Sequence, residues 1–227
     1  MFDDLKALLR GDTEQIANRL NRPTIRSFGG CCGIILVGSA LYGSTVGIWR
    51  APLQSLYTAI KFPLLIFLTC AGNAAINGML SQLLGSGLNF KQTSLAILMS
   101  FAIAAVILAG FSPISLFVWF NAPPLGSTNE ILGHSMMLLS HVGAIAFAGV
   151  IANQRLFGLL CKLSSNATAR AVLFSWLAGN LFLGAQLAWN LRPFIGAPIL
   201  PVQFLRNDLL RGNFYEAVWR AFQILFH

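Results

Sequence analysis

Apolar residues along this chain collect into five long runs separated by short polar or proline-bearing connections. The runs extend from Phe28 to Trp49, from about Lys61 to Leu84, from about Thr93 to Phe120, from about Ile131 to Asn153 and from about Ala171 to Leu191. A stretch of ~20 apolar residues crosses the hydrocarbon core of a bilayer as an α-helix. No water is available there to bond the backbone, so a helix, which satisfies its own amides, is the expected structure. A membrane barrel would need alternating segments of ~10 residues, and these runs are continuous. The pattern predicts an all-α fold, a polytopic membrane bundle of five transmembrane helices. It divides the chain into an amphipathic N-terminal segment (1–27), the bundle (28–191) and a C-terminal region (192–227).

The stretches outside the runs have patterns of their own. Met1 to Leu20 alternates Leu5, Leu8, Leu9, Ile16 and Leu20 with charge, the mark of an amphipathic surface helix. Pro52 to Ile60 reads as a short interfacial piece, with Pro63 opening the second span in its first turn, where proline is tolerated. Three prolines between Arg192 and Gln203 forbid a regular helix, and so apolar a segment needs cover from the bundle or a neighbouring chain. From Asn213 to Phe226 an N-cap with Glu216 three residues on opens an amphipathic helix. Tyr215, Val218, Trp219, Phe222, Leu225 and Phe226 share one side of it, which suits a helix lying in the headgroup layer or against a partner.

Composition agrees. Of 227 residues, 56% are hydrophobic and 10% charged, against about 25% charged in an average soluble domain. A mean hydropathy of +0.70 points the same way. The net charge of +8 comes from 15 Lys and Arg against 7 Asp and Glu. These cations sit at the ends of apolar runs and form no continuous basic patch, so the partner they fit is the lipid bilayer and not nucleic acid. Counted by side, the N-terminal flank and the second and fourth connections hold Lys6, Arg10, Arg19, Arg22, Arg26, Lys91, Arg155, Lys162 and Arg170. The other side holds Arg50, Arg192, Arg206, Arg211 and Arg220, with Lys61 at the boundary. The excess of cations predicts a multi-pass protein of the cell membrane with its N-terminus in the cytoplasm and its C-terminus outside. No secretory signal is expected at the N-terminus. Cys31, Cys32, Cys70 and Cys161 lack metal or redox spacing and read as packing residues.

Polar residues inside the bilayer are costly and turn toward other helices or a cavity. Gly29 and Gly33 in the first run, then Ser39, Gly43 and Gly47, recur at the four-residue spacing that lets helices approach closely. Thr69, Asn73, Asn77 and Ser81 repeat every four residues in the second run, and Ser175, Gly179, Gln186 and Asn190 fall within a narrow arc of the fifth. These two amide stripes can bond each other across helices or line a wet path. Glu130, His134, Met137 and His141 share one face of the fourth run, a combination able to relay a proton or hold a soft metal. The two histidines are seven residues apart, ~10 Å of helix rise, so one metal cannot bridge them. Neither a metal nor a cofactor is expected. Nucleotide-binding, hydrolase and metalloprotease motifs are missing from the sequence, and no enzyme is expected.

Leu41-Tyr42-Gly43 with Gly47, then Lys61-Phe62-Pro63-Leu64-Leu65 opening the next span, Gly85 at its end, and Phe111-Ser112-Pro113-Ile114 late in the third resemble the Yip family of membrane proteins, nearest its bacterial members. The resemblance covers roughly residues 39–157 together with the five-span plan. It implies five helices with a cytoplasmic N-terminus, in the bacterial inner membrane, and no settled activity. Ala40 stands where the eukaryotic members carry an acidic residue, and Ser44 follows Gly43 where they carry proline. Rab-GTPase binding is therefore not carried over.

Two functions are open on this sequence. One is a non-catalytic scaffold or accessory subunit, a homo-oligomer or part of a larger membrane complex, assembled through small-residue faces and amphipathic ends. The other is a channel or transporter using the Asn, Gln and His stripes.

Overall fold

The computed structural model describes residues 20, 22–83, 87–163, 165–208 and 211–226. Six helices are described: α1 (Ile25–Gly47), α2 (Pro52–Leu83), α3 (Phe90–Asn121), α4 (Glu130–Leu163), α5 (Asn166–Asn190) and α6 (Phe214–Phe226). The first five are long and apolar enough to cross a membrane. The protein is thus a polytopic helical membrane protein. Most of the N-terminal amphipathic segment (residues 1–19) and Gly85 lie outside the described residues; Leu20 is described and fully buried in the core.

Polar caps set the helix starts. The Thr24 side chain accepts from the Ser27 amide at the head of α1, and Ser165 does the same for Thr168 at the head of α5. Asn89 and Gln92 form a reciprocal capping box on α3, satisfying two amides that a helix start leaves free. Glu130 closes the connection into α4 by accepting from the Gly126 amide at 2.9 Å.

The sequence of α3 is apolar on all sides, and that pattern marks the centre of a bundle. It packs against α1, α2 and α4, and buries a run from Leu95 to Ser100 without a break. Helix α5 lies at the edge, packed on α2 and α4, and buries only Ala169, Val172, Trp176 and Ala185. Helix α6 rests on α4 and α5. Its buried side is small, at Ala221, while Trp219, Phe222 and Phe226 are exposed. The aromatic side predicted for the tail therefore faces away from the bundle.

The interfacial piece expected at Pro52 to Ile60 is instead the beginning of α2, which runs unbroken for 32 residues with Pro63 inside it. Proline is accommodated in membrane helices where neighbours and local adjustment satisfy the freed carbonyl. At 1.5 Å per residue α2 is ~48 Å long, well beyond the ~30 Å hydrocarbon core. A helix of that length reaches past the core at one end or both, and its first turns carry the polar side chains Gln54, Thr58 and Lys61. The fourth span is also longer than its apolar run, reaching Leu163.

Candidate functional site

Polar side chains inside the bundle form three separate groups. The first is at the N-terminal half of α2. Gln54, Thr58 and Lys61 are fully buried on one side of that helix, and all three reach into the proline-rich segment after α5. Lys61 Nζ donates to the Pro193 carbonyl at 2.8 Å, and Gln54 Nε2 donates to the same oxygen and to the Phe194 carbonyl, each at 2.9 Å. The Thr58 hydroxyl donates to the Phe194 carbonyl at 2.6 Å. The Lys61 ammonium also lies over the Phe204 ring, 4.9 Å from its centroid, a cation–π contact that helps hold a desolvated charge. Arg50 holds the segment farther along through the Ala197 and Leu200 carbonyls. Prolines remove amide donors and leave carbonyls needing partners, and here α2 supplies them. The cover expected for the 192–203 segment is the bundle itself. Lys61, counted from the sequence as a boundary cation, is a buried staple.

Around this segment Arg192 pairs with Asp208 at 3.3 Å and stacks on Trp189. Burial lowers the Arg206 pKa, opposed by Asp208 and reinforced by the cations Arg192 and Arg50.

The second group joins α2 to α5. Asn73 Nδ2 donates to Asn180 Oδ1 and to the Thr69 carbonyl, and Asn77 Nδ2 donates to Asn73 Oδ1 at 3.0 Å. Thr69 turns its hydroxyl back to Leu65. A Cβ at Gly179 would stand 2.7 Å from Asn73 Oδ1, so that glycine is what lets α5 approach the amide. The amide on α5 that meets the stripe is Asn180, which the arc drawn on the sequence passed over. Gln186 is exposed, and neither it, Ser175 nor Asn190 makes a side-chain hydrogen bond among the described residues. A strict 3.6-residue projection cannot find Asn180, because it ignores how long the two amide side chains are. The Ser81 side chain lies outside those described.

The third group is on α4, and its four residues do not converge. Glu130 caps the preceding turn. His134 is half-buried beside Trp49, with ring centroids 6.0 Å apart. Met137 is fully buried in apolar packing. His141 is 4% exposed, and its Nδ1 lies 2.8 Å from the Tyr42 hydroxyl of α1. Among the described residues no three His, Cys, Asp or Glu gather as metal ligands. Neither His141 Nε2 nor the Ser115 hydroxyl on α3, both buried, has a hydrogen-bond partner among the described residues. The two residues line one cavity of about 210 Å³ between α3 and α4, with Tyr42, and with Phe111, Ile114 and Phe147 among its apolar walls.

The glycines of α1 divide. A Cβ at Gly43 would meet the Thr58 carbonyl oxygen at 2.7 Å, and one at Gly47 the Gln54 carbonyl oxygen at 2.5 Å, so both lie against the backbone of α2. Gly38, four residues before the α2-facing turn that carries Tyr42, is equally close to Ala105 of α3; the sequence reading did not single it out. Ser39 is buried but bonds only its own helix, at Ile35. Gly29 and Gly33, expected to pack in the same way, have no described residue within 4 Å of an added Cβ. The Leu-Tyr-Gly and Lys-Phe-Pro motifs meet one another, since the Tyr42 and Phe62 rings stack edge to face at 5.5 Å.

A scan against protein-family models finds no match, and neither does a search of curated proteins or of solved structures.

Proposed function

We propose that the protein is a non-catalytic membrane scaffold or accessory subunit that assembles with a second copy, or with a larger complex, through the exposed start of α1. One observation carries this reading. Helix α1 uses the small-xxx-small spacing twice. At Gly43 and Gly47 the stripe is filled by α2, whereas at Gly29 and Gly33 it meets no described residue. Small residues at this spacing admit close backbone contact, and in lipid that contact is a main source of helix association.

The polar groups support the same reading. The Asn73–Asn180 and Asn73–Asn77 bonds and the Gln54–Thr58–Lys61 staple hold helices and the C-terminal segment in place. A channel or transporter would need the same amides turned toward a moving solute.

The test is replacement of Gly33 by Leu. We expect the oligomer extracted in mild detergent to dissociate to a smaller species on size-exclusion chromatography, with the unfolding temperature of the chain little changed. An unaltered size would remove the observation on which the reading rests.

A further inference from the structure

The cavity between α3 and α4 has two donors with no acceptor among the described residues. The Tyr42 hydroxyl and His141 Nδ1 are paired at 2.8 Å. If Nδ1 carried the imidazole proton, the phenol hydrogen would need another acceptor, and none of the described residues provides one. The phenol therefore donates to Nδ1, which places the ring proton on Nε2. That N–H is buried and has no partner among the described residues. Serine in a helix usually turns its hydroxyl to the carbonyl four residues back, as Ser135 does to Ile131. Ser115 does not, and its hydroxyl is buried without a partner among the described residues.

Both residues line the same space of about 210 Å³. Its remaining walls are mostly apolar, and two of them, Ile114 and Phe147, are 53% and 52% exposed on the outside of the bundle. These two residues lie within the spans, so their outer faces meet lipid rather than water. His141 is ~16 Å along α4 from Glu130, inside the apolar part of that helix. A buried donor left unpaired is costly, and two facing one cavity call for an acceptor that dissolves in lipid.

We infer that this cavity binds the carbonyl group of a lipid-soluble molecule, with His141 Nε2–H and the Ser115 hydroxyl as donors and the Phe111, Ile114 and Phe147 side chains around its apolar body. The carbonyl belongs either to a quinone ring or to the ester of a phosphoglyceride; both offer the same acceptor. The site is independent of the assembly stripe on α1.

The full chain is purified in an alkyl maltoside, which has no carbonyl. Two probes are titrated separately, a decyl-substituted benzoquinone and dioctanoylphosphatidylglycerol, each carrying 13C at its carbonyls. Saturable binding is expected for one of them, with the bound carbonyl band moved to lower frequency by hydrogen bonding. The probe that binds identifies the source. His141→Phe and Ser115→Ala should each weaken binding, by about tenfold for the histidine, the equivalent of one hydrogen bond, and the band should return toward the free value. Gly143 also lines the cavity, and a Cβ there meets nothing within 4 Å. Gly143→Leu therefore adds bulk at the cavity wall with no clash at its Cβ, and should weaken binding even if the histidine variant fails to fold. Absence of saturable binding by both probes, wild-type binding by Gly143→Leu, or an unshifted carbonyl band would each overturn the inference.

Discussion

The Pro193 carbonyl oxygen accepts from two buried donors, Lys61 Nζ and Gln54 Nε2. That redundancy makes a specific energetic prediction. In Lys61→Met the oxygen keeps its amide partner, and the loss of one hydrogen bond is partly offset because a charge no longer has to be held out of water. In Gln54→Leu it keeps the ammonium, and the Phe194 carbonyl keeps Thr58. Only the double variant leaves a buried carbonyl bare, which costs about 1–3 kcal/mol. The double substitution should therefore destabilise the chain by more than the two single ones added together, with a coupling of about 1 kcal/mol, within the range found for side chains that share a partner. Thermal unfolding of the four proteins in one detergent measures it. Simple additivity would show that the segment is held elsewhere, by Arg50 or by the apolar contacts of Phe194 and Phe204.

Helix contacts in this bundle are set by where glycine is required and where it is merely present. Gly47 lies against the α2 backbone, where a Cβ would stand 2.5 Å from the Gln54 carbonyl oxygen and 2.7 Å from the Ser55 amide nitrogen. Backbone cannot swing aside as a side-chain tip can, so Gly47→Ala should destabilise by about 1–3 kcal/mol, the usual cost of overpacking. Gly110 in α3 is exposed, and an added Cβ meets nothing. Gly110→Ala should be neutral or stabilising by up to about 1 kcal/mol, because alanine loses less backbone freedom in a helix. Equal effects of the two on unfolding temperature would mean that the α1–α2 contact is looser than its geometry. The same contrast explains what could be read from the sequence. Five helices were legible because lipid demands a long apolar run for each, and that demand is written residue by residue. Gly29-x-x-x-Gly33 and Gly43-x-x-x-Gly47 are identical as patterns, and only the position of α2 distinguishes them. Pro63 was placed at a helix start because proline disfavours helix interiors in water, whereas here α2 continues through it. The Asn73–Asn180 bond and the Tyr42–His141 pair join helices distant in sequence, and no local period carries such a partner. The carbonyls of the proline-rich segment identify Lys61 as a staple, and those carbonyls are not side chains and leave no mark in the sequence.

At the scale of the whole molecule, five crossings place the two ends of the bundle on opposite faces of the membrane. The connections before Pro52 and after Asn121, the 192–208 segment and α6 then share one face, and the connections before Phe90 and Asn166 share the other. The mutual contacts of α2 with the proline-rich segment and of α6 with α4 require this grouping. Charge is the only guide to which face is cytoplasmic: nine Lys and Arg belong to the side of the N-terminal flank, five or six to the other, and cation-rich connections tend to stay inside. We propose on that basis that the C-terminal segment and α6 lie outside the cytoplasm. Cys31, Cys32 and Cys70 lie inside the spans, and Cys161, two residues from the end of α4, is first changed to serine, so a single cysteine added in a connection can be read against a low background with a membrane-impermeant maleimide on intact cells. Thr128→Cys, in the exposed connection after α3, and Asn207→Cys, in the exposed C-terminal segment, should both be labelled at once. Ser165→Cys, at the exposed start of α5, should react only after the membrane is permeabilised. Labelling of Ser165→Cys alone on intact cells would invert the orientation and leave the fold standing. Labelling of Thr128→Cys without Asn207→Cys, with both reactive in detergent, would separate two connections that five crossings must keep together, and would reject the five-span count itself.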